Sequence, residues 1–143
     1  MKSRILVFVQ FGTIFLMLLP LGAGVRHFYS GLLIITVGII IGLLAIQKNR
    51  LGNFNIRPDI KDNCLFIKDG IYAYIRHPMY SSVLISMLGV LILYANFYEL
   101  ILYIILFVNM FIKMFYEESL WHCEGVQYKE YSEKTYRLIP YIF

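Results

Sequence analysis

The sequence predicts an all-α integral membrane protein with about four transmembrane helices. Three observations predict it. The chain is 59% hydrophobic and 15% charged, whereas a soluble domain carries about 25% charged residues. Four apolar segments, residues 5–21, 28–46, 79–95 and 97–112, each come near the ~17–25 residues that a spanning helix needs. The basic residues gather on one side of those segments. With 143 residues, the chain suits a single domain over 1–143. Residues 1–46 form a scaffold pair of helices, and residues 47–143 carry nearly all the polar chemistry.

The first segment follows Lys2 and Arg4 and holds one polar amide, Gln10. Followed by Gly22-Ala23-Gly24, it also has the outline of a secretory signal, but its apolar run is long for one, and a retained span is expected. The second segment is uncharged, and its Gly38-x-x-x-Gly42 spacing permits close helix approach. A polar stretch of about thirty residues follows. A connection of that length tends to be functional, and Cys64, Leu65, Phe66 and Ile67 form a short apolar patch inside it. The third segment begins at Met79, and Pro78 directly before it suits a helix entrance because its missing N–H would be unpaired there. Only the Asn96 region separates it from the fourth, which predicts a tight helical hairpin. Residues 117–122 extend the fourth helix out of the membrane. Gly125 marks a break, Tyr128 and Tyr131 lie one turn apart on one helical face, and Pro140 ends regular structure.

Charge placement sets the expected orientation. Of the thirteen basic residues, all but Arg26 fall before segment one, between segments two and three, or after segment four. With four spans this is a positive-inside pattern. It places both termini on the cytoplasmic face of the inner membrane. The net charge of +4 therefore speaks of topology and anionic lipid, and no nucleic-acid motif accompanies it. No metal site is expected, since metal-ligand spacings and CxxC are absent. Cys64 and Cys123 lie on the predicted cytoplasmic side, where disulfides are rare. His27 and His122 read as ordinary interfacial residues.

The chemistry concentrates at the inner ends of segments three and four. Arg76 and His77 stand directly before Pro78, and Glu117 and Glu118 stand where the fourth helix leaves the membrane. A hairpin brings both pairs to one bilayer depth. Ionisable residues at such depth are functional candidates by default, and a structural Arg–Glu pair closing the hairpin is the plainer reading.

The pattern Gly70-x-Tyr72-x-x-x-Arg76-His77-Pro78-x-Tyr80, followed by the acidic pair, Leu120, Gly125-x-x-Tyr128-x-x-Tyr131 and Arg137-x-x-Pro140, resembles the isoprenylcysteine carboxyl methyltransferase family. That family is itself similar to phospholipid N-methyltransferases and small bacterial membrane methyltransferases. The resemblance covers roughly residues 51–140. It implies a methyltransferase using S-adenosylmethionine (AdoMet), bound at the cytoplasmic face by the loop before helix three and the C-terminal helix. By matching positions it implies a cofactor site of Cys64, Leu65, Phe66, Ile67, Tyr72, His77, Pro78, Met79, Tyr80 and Glu117. Catalytic roles are expected for His77, Glu117 and Glu118, and substrate contacts for Lys113 and Arg76. The acceptor it implies is a lipophilic small molecule or prenylated group in the bilayer.

Two positions depart from the family pattern. Tyr116 stands where a first Glu is usual, and Lys113 replaces an Arg, losing the bidentate fork. The acceptor atom is left open among carboxylate, thiol and amine. The alternatives are an NADPH-dependent membrane reductase of related architecture and a non-catalytic membrane module.

Overall fold

The computed structural model describes residues 2–19, 21, 24–49, 67–123 and 126–142. Its helices are α1 (Lys2–Leu18), α2 (Phe28–Lys48), α3 (Pro78–Tyr94), α4 (Phe97–Cys123) and α5 (Val126–Lys134), with a 3-10 turn at Gly70–Ala73 before α3. The described residues contain no strand, only one isolated parallel bridge between Ile75 and Tyr136. The apolar segments thus became helices close to their expected bounds, and α4 runs on through Glu117 and Glu118 as expected.

Among the described residues two helices are long and apolar enough to cross a membrane, α2 and residues Phe97–Leu120 of α4. The other two, Ser3–Leu18 and Pro78–Tyr94, are apolar but shorter. At 1.5 Å per residue, the 17 residues of α3 reach about 25 Å, just under a hydrocarbon core of about 30 Å. The outer surface agrees with a lipid solvent. Phe8, Phe11 and Phe15 on α1, Leu33, Ile40 and Leu43 on α2, and Ile101, Ile104, Val108 and Ile112 on α4 are all exposed. Water rarely accommodates so much contiguous apolar surface.

The α2–α3 contact is built on small residues. A Cβ on Gly38 would collide with Ser86 Oγ and lie 2.6 Å from the Ser86 nitrogen, and one on Gly42 would lie 2.6 Å from Ser82 Oγ. Ser82 Oγ donates to the Gly38 carbonyl at 2.7 Å. The reciprocal close approach is at Gly89, where a Cβ would lie 2.7 Å from the Ile35 nitrogen. The small-xxx-small pattern therefore joins α2 to α3 within the chain.

The α3–α4 hairpin turns on Ala95 and Asn96. Ala95 takes the left-handed conformation at φ 46° and caps α3. Asn96 Oδ1 then accepts from the Glu99 backbone N–H at 2.9 Å, the usual role of an Asn before a helix. Beyond the end of α4, α5 buries Tyr128 and Tyr131, and the Tyr131 hydroxyl donates to the Tyr72 carbonyl at 2.6 Å. The chain after α5 runs beside the approach to α3. Tyr136 N–H donates to Tyr74 O at 3.0 Å, Arg76 N–H to Tyr136 O at 2.8 Å, and His77 N–H to Arg137 O at 3.0 Å. Ser81 Oγ adds a bond to Leu138 O at 2.6 Å. These contacts bring the C-terminal Arg137 to the mouth of α3.

Candidate functional site

Glu118 is the hub of the polar cluster. It is 5% exposed, yet it is a carboxylate facing three basic side chains. Arg137 Nε lies 2.9 Å from Oε2 and 3.2 Å from Oε1. His77 Nε2 and Arg76 Nε approach Oε1 at 3.3 and 3.2 Å. A buried carboxylate needs such partners, because desolvation is otherwise too costly. Arg76 does more than pair. Its Nη1 donates to the carbonyls of Ser132 and Thr135, at the end of α5, where a cation offsets the exposed C=O groups. The plainer reading of Arg76 is thus realised: it closes the hairpin onto Glu118 and ties α5 down.

Glu117 faces elsewhere. One residue along a helix turns the side chain by about 100°, so Glu117 meets α3 rather than the C-terminal segment. Tyr80 Oη donates to Glu117 Oε2 at 2.7 Å. His77 Nδ1 is 3.9 Å from the same oxygen. The imidazole stacks on the Tyr80 ring, with centroids 5.3 Å apart and planes 3° from parallel. The Glu117 side chain stays 30% exposed. The two adjacent carboxylates are therefore unlike: Glu118 is locked on both oxygens, and Glu117 keeps an approachable side.

The remaining expected residues divide three ways. Tyr72 is buried in the 3-10 turn, and burial pushes its hydroxyl up to about 12. Burial likewise raises Tyr128 and Tyr131, so all three remain neutral donors at physiological pH. Pro78 is fully buried at the first turn of α3, and Met79 beside it is half-buried. Ile67 is half-buried in the approach to the turn, while Cys64, Leu65 and Phe66 lie outside the described residues. The N–H groups of Tyr80 and Ser81 donate to His77 O at 3.0 and 3.1 Å.

Lys113 joins the cluster from an unexpected side. It is 1% exposed. Its Nζ donates to Gln10 Oε1 of α1 at 2.6 Å and sits 5.2 Å over the Tyr80 ring, within reach of cation–π attraction. Gln10 and Arg137 are the residues that the sequence reading did not place in the site. The signals were faint but present: Gln10 is the lone amide in the first apolar run, and Arg137 closes the C-terminal motif. No group of three His, Cys, Asp or Glu able to hold a metal occurs among the described residues. A groove of about 620 Å³ lined by His27, Ser30, Leu91, Asn96 and Leu100 lies at the opposite ends of the helices, away from this chemistry.

The sequence that forms α2 through α4 matches a known family. A family model described as phospholipid methyltransferase matches residues 26–123, a span that includes the Arg-His-Pro element and both glutamates. The chain belongs to the phospholipid methyltransferase family. Among curated proteins it is similar to a "Probable protein-S-isoprenylcysteine O-methyltransferase" of Oryza sativa subsp. indica and to one of the same name from subsp. japonica. Each is 31% identical over 120 residues, covering 80% of this chain. The chain spans 61% of the length of those relatives. Its apolar helices are in keeping with membership of that family.

Proposed function

We propose that this chain transfers a methyl group from AdoMet to a lipophilic acceptor at the cytoplasmic membrane face, in the manner of isoprenylcysteine carboxyl methyltransferases. The observation that carries the reading is the pairing of a partly open carboxylate, Glu117, with the stacked His77–Tyr80 pair at the inner end of α3 and α4. The chemistry of that donor set fits AdoMet. A carboxylate accepts from an ammonium or from ribose hydroxyls, and aromatic faces favour a cation. Glu117, Tyr80, His77 and Tyr72 would hold the cofactor, with Pro78 and Met79 shaping the wall. Cys64, Leu65, Phe66 and Ile67 complete the proposed site on the loop side. Bound there, AdoMet supplies a methyl group on a sulfonium, already activated for displacement.

The protein's own contribution is then orientation and exclusion of water. Tyr80 holds Glu117 through its hydroxyl. Glu118, gripped by Arg137 and Arg76, holds His77 through Nε2 and leaves Nδ1 on the Glu117 side. A carboxylate acceptor needs no base. For a thiol or amine acceptor, His77 is the group placed to take the proton, with Glu118 stabilising the imidazolium that results. Arg76 and Lys113, expected to touch substrate, are engaged within the protein, and their proposed role is to shape the site around it.

Calorimetric titration of the protein in lipid nanodiscs with AdoMet, and separately with NADPH, tests the reading. AdoMet should bind and NADPH should not. Binding of NADPH alone overturns the methyltransferase reading of this site in favour of a reductase.

A further inference from the structure

The first helix lies outside the family match, which begins at residue 26. It nevertheless reaches the site. The buried residues of α1 include Ser3, Gln10 and Met17, seven apart and so on one stripe. Along it, three hydrogen bonds among the described residues run from α4 to α1. Tyr98 Oη donates to Leu16 O at 3.3 Å and Asn109 Nδ2 to Leu6 O at 3.1 Å. Both bonds are accepted by backbone carbonyls and ask nothing of the side chains of α1. The third, from Lys113 Nζ to Gln10 Oε1 at 2.6 Å, requires this particular side chain.

We propose that Gln10 is a positioning residue of the cofactor site, anchoring the Lys113 ammonium over the Tyr80 ring so that the Tyr80–Glu117 pair keeps its geometry. The inference rests on the AdoMet reading above. A buried ammonium must have an acceptor, and Gln10 is one. Lys113 and Glu117 are four residues apart on α4, the spacing at which Lys and Glu pair on a helix. With Gln10 replaced by an apolar residue, the ammonium loses its hold on α1 and turns toward Glu117. That draws the carboxylate from the Tyr80 hydroxyl and cancels its attraction for a cationic ligand. Gln10 thus keeps a neighbouring cation from quenching the open carboxylate of this site.

The test compares Gln10→Leu, Gln10→Glu, Thr13→Val and Lys113→Met, with the Gln10→Leu/Lys113→Met double variant, in nanodiscs. Three quantities are read: AdoMet Kd, melting temperature, and amine-reagent labelling of Lys113 by mass spectrometry. Thr13 is buried on the same helix but bonds within it, to Val9 O at 2.7 Å, and controls for general damage to α1. Gln10→Leu should weaken AdoMet by about fivefold or more and raise Lys113 labelling, while Gln10→Glu keeps an acceptor and restores both. On the Lys113→Met background, Gln10→Leu should add nothing, since it acts through Lys113. Wild-type binding with unchanged Kd and labelling in Gln10→Leu overturns the inference. So does a Kd loss that Thr13→Val reproduces in step with its melting temperature. Failure of the wild type to bind AdoMet overturns the cofactor reading itself, and the role of Gln10 with it.

Discussion

Glu117 and Glu118 show how much a single residue step decides. The two have the same chemistry and adjacent positions, yet one is buried against Arg76, His77 and Arg137 and the other is open beside Tyr80. Their substitutions should therefore fail differently. Glu118→Gln leaves two guanidinium groups facing a neutral amide in a buried place, and breaking a buried pair typically costs ~3–5 kcal/mol. The variant should melt well below the wild type, with the 136–138 segment losing amide protection in hydrogen exchange. Glu117→Gln removes a charge from a partly exposed group, so its melting temperature should move little. Its AdoMet affinity should fall by roughly tenfold to over a hundredfold, the worth of a charge-assisted hydrogen bond. Calorimetry and thermal shift on both variants separate the roles, and equal AdoMet affinity in wild type and Glu117→Gln removes Glu117 from the site. The sequence announced these residues through the Arg-His-Pro-x-Tyr element and the acidic pair. It could not tell which carboxylate was locked, because that depends on Arg137, some twenty residues further on, returning beside α3.

At the scale of elements, the helices were legible and their contacts only partly so. Runs of apolar residues fixed where helices form, and Pro78 and Asn96 fixed where two of them start. Gly38 and Gly42 signalled close packing, but the sequence did not say that Ser82 and Ser86 of α3 were the partners. Helix association in lipid depends on such van der Waals fit, not on hydrophobic drive. Gly38→Ala should cost ~1–3 kcal/mol, the usual penalty for overpacking, because the added Cβ meets the backbone of Ser82 and Ser86 as well as the Ser86 hydroxyl. Gly12 makes the contrast. A Cβ there meets nothing within 4 Å, so Gly12→Ala should be neutral or stabilise by up to ~1 kcal/mol through helix propensity. A thermal-shift comparison of the two alanine variants checks the pair, and similar melting temperatures contradict the packing account. The least legible contact was between α1 and α4. Residues 1–46 read as a scaffold with almost no polar chemistry, and the contact that this reading did not specify is Gln10 accepting from Lys113. Periodicity cannot reveal such a contact, because one amide in an apolar helix has no pattern to belong to.

For the whole molecule, the open question is how the bundle sits in the bilayer. The α2 and α4 spans are long enough, while α1 and α3 are about one to two turns shorter, and the His77–Glu117 cluster lies where α3 begins. On the proposed reading the mouth of α3, with Arg76, His77 and the returning Arg137, is expected at the headgroup boundary. Such placement suits a methyl donor arriving from water and an acceptor arriving from lipid. The basic residues give the direction. Lys2, Arg4, Lys48, Lys68, Arg76, Lys113, Lys129, Lys134 and Arg137 fall toward one end of the bundle, and Arg26 alone among the described basic residues falls at the other, where its Nη1 donates to Ala95 O at 3.3 Å. The positive-inside rule predicts that the crowded end faces the cytoplasm. Single cysteines introduced at positions 26, 96 and 140, on a background lacking Cys64 and Cys123, should then react differently with a membrane-impermeant thiol reagent applied to intact cells. Positions 26 and 96 should label from outside, and position 140 only after the membrane is opened. Labelling of position 140 from outside contradicts the orientation and puts the His77–Glu117 site on the face that cytosolic AdoMet cannot reach.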